Sequence, residues 1–176
     1  YNFKSSIKKF YNSVMVRSDL IIAGSNFIFS HIKENYSGYL KPEKKFLVIF
    51  RGINTEYFDP KKIKESDKIL LKKKWKIQND KKIILLPGRL TYWKGHEMFL
   101  EAISKLKKIM PDKEFVAIIL GSDQGRNIYK KKLIRLVDQF RLINNVIFVE
   151  NIKLMPIAYE ISDVVISASI EPESFG

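Results

Sequence analysis

Four short segments of this chain are apolar at every position, and they narrow the possible folds more than any other feature. They are IILL at 83–86, FVAIIL at 115–120, VIFV at 146–149 and VVI at 164–166. A strand with one face in water alternates apolar and polar residues, whereas a strand apolar throughout is covered on both faces. Stretches of helical period lie between them: HEMFLEAISKLKKIM, with Phe99, Ile103, Leu106 and Met110 on one face, then NIYKKKLIRLVDQFRL, then the shorter LMPIAYEIS. This alternation predicts an α/β fold class, a parallel sheet with helices on both sides and right-handed crossovers. Upstream, LIIAG precedes SNFIFSHIKENY, where Ser25 is placed to cap a helix, and FLVIF follows at 46–50. The lysine-rich segment 61–82 holds a further helix around ILLKKKWKI. At the start, FKSSIKKFYNSVMV sets Phe3, Ile7, Phe10, Tyr11 and Val14 at helical spacing among lysines. Such a helix either packs on its own domain or lies on a membrane surface.

Composition removes several chemistries. There is no cysteine, hence no disulfide, thiolate metal site or cysteine nucleophile, and His31 and His96 are the only histidines. No apolar run reaches the ~18 residues that span a bilayer. The formal net charge of +13 has two readings: a phosphate-rich partner, or lysine-rich usage on a solvated surface. The lysines are scattered and not interleaved with aromatics on one surface, which disfavours nucleic acid as the partner.

In open parallel sheets, ligands sit beyond the carboxyl ends of the strands. Here those ends read Pro87-Gly88-Arg89, Gly121-Ser122-Asp123-Gln124-Gly125, Glu150-Asn151, and Ser167-Ala168-Ser169 running into Ile170-Glu171-Pro172-Glu173-Ser174-Phe175-Gly176. Glycine admits close approach of a ligand to the backbone. Arg89 and Lys94 stand out, because a guanidinium makes paired hydrogen bonds to phosphate oxygens and an ammonium adds a compact charge. The helix expected after Gly95 would add its free N–H groups. Both residues read equally as surface cations of a basic chain. GRLTYWKG is not a Walker loop, since Lys94 precedes the glycine and no Ser or Thr follows it. No G-x-G-x-x-G and no Asp-x-Asp occurs, so any bound diphosphate is expected to be neutralised by cations and backbone donors, with no metal and no cofactor.

The segments GRLTYWKG, LGSDQGR, NVIFVENI and SDVVISASIEPESFG, in that order and spacing, resemble the retaining GT-B glycosyltransferases of family 4, also called glycosyltransferase group 1. The likeness runs from about residue 18 to the end. RGINTEYFDP resembles the family's interdomain crossing, with Arg51 where Asn is commoner. The resemblance implies a Rossmann-like doubly wound donor domain over 83–176, a hinge and linker helix over 51–82, and over 1–50 the last part of a second Rossmann-like acceptor domain.

It also implies roles for individual residues. Arg89 and Lys94 would hold the diphosphate of a UDP- or GDP-linked sugar. Glu173 would contact the sugar as the first glutamate of an E-x7-E motif. Ser174, Phe175 and Gly176 would give backbone donors, Asn151 and Ile152 would hold the base, and Gly88 and Gly121 would line the nucleotide. Glu173, Arg89 and Lys94 are the expected catalytic residues. The implied acceptor is a glycan or lipid-linked sugar. The expected location is cytoplasmic, with peripheral contact at the inner face of the cell membrane. The chain starts at Tyr1 and stops inside the motif, so it is expected to be a truncated piece that does not catalyse alone. The alternative is a nucleotide- or phosphate-binding module without transfer activity.

Overall fold

The computed structural model describes residues 6–41, 43, 45–78, 80–125, 127–150 and 155–173. The chain divides into two compact units, one of residues 1–53 with 171–176, the other of residues 54–170.

The first unit opens with helix α1 (Ser6–Asn12) and a 3-10 turn at Ser13–Val16. Strand β1 (Leu20–Ala23), helix α2 (Asn26–Tyr36) and strand β2 (Lys45–Val48) follow. The two strands pair in parallel, Leu20 opposite Lys45 through Ala23 opposite Val48. Ser25 caps α2 as its position predicts, its Oγ accepting from the Ile28 N–H at 3.2 Å. The core of this unit is small, built on Val16, Ile21 and Tyr36 with Ile32, Leu40 and Phe46 against them. Of the apolar residues set at helical spacing in the basic N-terminal segment, Ile7, Phe10, Tyr11 and Val14 are exposed, and Phe3 lies outside the described residues.

The second unit is built on a four-stranded parallel sheet. Helix α3 (Glu65–Lys74) leads into strand β3 (Lys82–Pro87). Then come helix α4 (His96–Ile109), strand β4 (Phe115–Leu120), helix α5 (Asn127–Gln139), strand β5 (Val146–Val149), helix α6 (Met155–Glu160) and strand β6 (Val164–Val165). The strand order is β5-β4-β3-β6. Alternate residues of β3 and β4 enter two separate cores. Ile84, Leu86, Ala117 and Ile119 meet Phe99, Leu100 and Ile103 of α4 and Leu133 and Val137 of α5. On the opposite face Ile83, Leu85, Val116 and Ile118 meet Leu71 of α3, Trp75 and Ile157 of α6. This two-sided burial is what a strand apolar at every position requires, and all six residues of β4 are buried. At the sheet edge Val164 and Val165 stay exposed.

Two helices end earlier than their apolar pattern suggests. After α3, Lys76 turns into the left-handed region at φ 55°. There the Lys76 N–H donates to Lys73 O and the Ile77 N–H to Lys72 O. After α5, Arg141 does the same at φ 56°, with N–H groups of Arg141 and Leu142 donating to Asp138 O and Val137 O. Both are Schellman terminations, and both bury the next apolar residue, Ile77 or Leu142. On α4, Met110 falls just past the last turn and is exposed, while Leu100 takes a buried place beside Phe99 and Ile103.

Candidate functional site

Arg89 and Lys94 sit on the loop from β3 to α4, at the carboxyl end of a central strand. This loop is fixed from both sides. On the β4 side the Gly88 N–H donates to Leu120 O at 2.8 Å and the Leu90 N–H to Ser122 O at 3.0 Å. On the other side the Ile170 N–H, beyond β6, donates to Trp93 O at 2.9 Å. Within the loop, the Arg89 carbonyl accepts from the Thr91 N–H at 2.8 Å and from the Thr91 hydroxyl at 3.4 Å. Leu90 and Thr91 are buried beneath it, while Tyr92 is exposed and Trp93 half-buried.

Glycines make these approaches possible. A Cβ on Gly121 would overlap the Gly88 carbonyl oxygen, so the ends of β3 and β4 lie back to back. A Cβ on Gly95 would overlap the Ala168 carbonyl oxygen, and Gly95 has φ 71°, in the left-handed region that glycine favours. The stem of Lys94 passes over Gly88, its Cδ lying 3.5 Å from where a Gly88 Cβ would be, an ordinary contact distance. The lysine therefore folds back over the residue that precedes Arg89. Arg89 is exposed and Lys94 half-buried. Gly95 begins α4 with no side-chain cap, so the first N–H groups of this helix join the same corner. Two cations and a helix N-terminus on one rigid loop form a site suited to a multiply charged anion.

The β4–α5 loop borders this corner. Gln124 and Gly125 both have positive φ, 52° and 77°. The Gln124 N–H donates to Ser122 Oγ and the Gly125 N–H to Asp123 Oδ1. Ion pairs tie the neighbouring elements: Lys132 of α5 to Glu97 of α4 at 2.7 Å, and Lys130 of α5 to Glu150 after β5 at 2.8 Å. Gly88, Arg89, Lys94 and Gly121 are thus brought together at the carboxyl edge of the second unit's sheet. Glu173 groups with the first unit and is half-buried there. Asn151, Ile152, Ser174, Phe175 and Gly176 lie outside the described residues.

Sequence reasoning did not single out the chemistry beneath the loop. His96, first residue of α4, is fully buried, and neither ring nitrogen has a hydrogen-bond partner. Desolvation first, and the nearby Lys94 charge, hold its pKa below the usual 6.5, while the Thr91 and Gly88 carbonyls oppose that shift. Those carbonyls therefore lie close enough to favour a charged ring without making a hydrogen bond of good geometry. The Tyr129 ring of α5 stands edge-on to it at 6.0 Å. The Tyr129 hydroxyl is also buried without a partner, its pKa pushed up to about 12, mainly by burial.

Comparison with known proteins bears on this arrangement. The family model described as "Glycosyl transferases group 1" matches residues 67–176. An uncharacterized glycosyltransferase from Methanocaldococcus jannaschii is 33% identical over 137 residues, covering 77% of this chain and 33% of that protein. The crystal structure of a glycosyltransferase from Rickettsia africae matches with a TM-score of 0.81 and 37% identity, over 100% of this chain and 45% of its own. Anabaena HepE, crystallised with UDP and glucose, matches with a TM-score of 0.78 and 21% identity, over 98% of this chain and 44% of its own. At that identity the likeness is one of fold: parallel α/β sheets in the GT-B manner. The chain spans a third of the archaeal relative and under half of these two structures.

Proposed function

Since the chain belongs to the group 1 glycosyl transferases, we propose that it carries the donor-binding part of an enzyme that moves a sugar from a nucleoside diphosphate to an acceptor hydroxyl. The observation that carries this reading is the loop 88–95, which holds Arg89, Lys94 and the α4 N-terminus in one corner and is hydrogen-bonded on both sides. As the bond from the anomeric carbon to the diphosphate oxygen breaks, its electron pair stays on the leaving group. Charge grows there, and cations already in place stabilise the transition state more than the ground state. Gly121 lets the carboxyl ends of β3 and β4 meet beside the loop that carries the two cations.

The finer assignments follow the resemblance. Glu173 contacts the donor sugar, Asn151 and Ile152 the base, and Ser174, Phe175 and Gly176 donate from the backbone. Transfer proceeds with retention, as in family 4, without a metal or other cofactor. The donor is UDP- or GDP-linked. The acceptor is a glycan or lipid-linked sugar of the cell surface, met in the cytoplasm at the inner face of the membrane. Among the described residues no helix is long and apolar enough to cross a membrane.

In the full-length protein, Arg89→Ala and Lys94→Ala are each expected to lower kcat/KM by about tenfold to a hundredfold, the equivalent of roughly 1.5–3 kcal/mol per charge-assisted contact. Unchanged turnover in both variants would remove the proposed role. Glu173→Gln is expected to keep affinity for the bare nucleoside diphosphate and lose turnover of the sugar donor. A binding module without transfer activity would instead show nucleotide affinity and no acceptor-dependent turnover.

A further inference from the structure

The buried ring of His96 sits under the phosphate corner with more acceptors around it than a neutral imidazole can serve. A neutral ring has one N–H, whereas a protonated ring has two. The acceptors are the carbonyls of Gly88 and Thr91, which bracket Arg89 and Leu90 in the chain. Neither bond is made, and a fully buried polar side chain without a partner needs a cause. The described titratable and charged groups around the ring are Lys94 from the loop, Tyr129 from α5, and, near Tyr129, Tyr92 of the loop and Glu97, which is paired with Lys132. Burial and the Lys94 charge oppose a proton on the ring. A diphosphate beside Lys94 reverses the local field, because an anion favours the charged imidazolium.

We propose that His96 takes up a proton from solvent when a nucleoside diphosphate enters the corner, so that its ring donates to both the Gly88 and Thr91 carbonyls and clamps the segment bearing Arg89. His96 is a positioning residue in this account and does not touch the ligand. Linkage makes the coupling reciprocal: donor affinity rises as the pH falls through the histidine range, by the same factor that bound donor favours the protonated ring. The proposal rests on the corner being a diphosphate site, and its test separates the two.

UDP-glucose is a suitable probe, because its diphosphate is esterified at both ends and gains no proton near neutral pH; GDP-mannose serves if it is not bound. Calorimetry on the full-length protein, in buffers of different ionisation enthalpy near pH 7, is expected to show net proton uptake on binding. His96→Gln is expected to bind without uptake and with affinity that no longer changes with pH. NMR of the histidine rings gives a readout that needs no variant. The His96 titration midpoint is expected to move up by about a unit or more with saturating nucleotide. Binding with no proton exchange and an unmoved His96 midpoint would overturn the clamp and leave the diphosphate site standing. Equal uptake in His96→Gln would do the same. Failure of both nucleotides to bind would overturn the site itself and the clamp with it.

Discussion

Gly95 combines a left-handed backbone with a carbonyl from beyond β6 lying where a side chain would go. Gly95→Ala therefore faces strain and overlap together, and is expected to destabilise the fold by about 1–3 kcal/mol. Gly52→Ala meets open space and is expected to stay within about 0.5 kcal/mol of the parent. Denaturant midpoints of the two variants check the contrast, and equal midpoints would mean the loop yields freely. His96 sets a second expectation. Its folded pKa lies below 6.5, so above that value neither folded nor unfolded chain carries the proton and stability does not depend on it. As pH falls from 6.5 through the lowered folded value, the unfolded chain gains the proton first and stability declines. Unfolding at a series of pH values, compared between the parent and His96→Gln, isolates this slope. The place of Arg89 and Lys94 on a strand-ending loop could be read from the sequence, because an apolar run that stops at Pro87-Gly88 marks the turn that carries them. His96 could not: a lone histidine beside a glycine carries no sign of the two carbonyls that fold around it.

The helices and strands of the second unit were legible in outline, because strands apolar at every position and helices with one apolar face leave few alternatives. Helix ends were less so. The apolar pattern runs on through Ile77 and Leu142, and no glycine marks a stop. In both places a charged residue takes the left-handed position so that the following apolar residue can turn into the core. Left-handed backbone costs a residue with a Cβ roughly 1 kcal/mol or more. Lys76→Gly and Arg141→Gly are therefore each expected to stabilise the protein, by several tenths to about 1 kcal/mol once the extra freedom of glycine in the unfolded chain is deducted. Thermal or chemical unfolding checks this, and a loss of stability in both would mean that the Lys76 and Arg141 side chains contribute more than their backbone strain costs. Ser25, by contrast, announced its helix start, since a hydroxyl placed just before an apolar period has the donor it needs three residues on.

Taken whole, the chain holds two units of unequal core. In the second, two clusters flank a sheet whose strand β4 is buried from end to end. In the first, a handful of side chains cover one face of a strand pair. Amide hydrogen exchange is expected to be slowest in β3 and β4 and faster in β1 and β2, by orders of magnitude if opening free energies follow core size. Equal protection across both sheets would contradict that. The bonds that fasten the cationic loop have another effect, in time rather than space. The loop's own residues are made early, but the Ala168 carbonyl that seats Gly95 and the Ile170 N–H that holds Trp93 come far later in synthesis. Contacts so distant along the chain close slowly, after local structure has formed. A growing polypeptide would therefore display β3 and α4 before the cationic loop was fastened on both sides, and on the function proposed above, nucleotide capture during refolding would report the last stage of maturation.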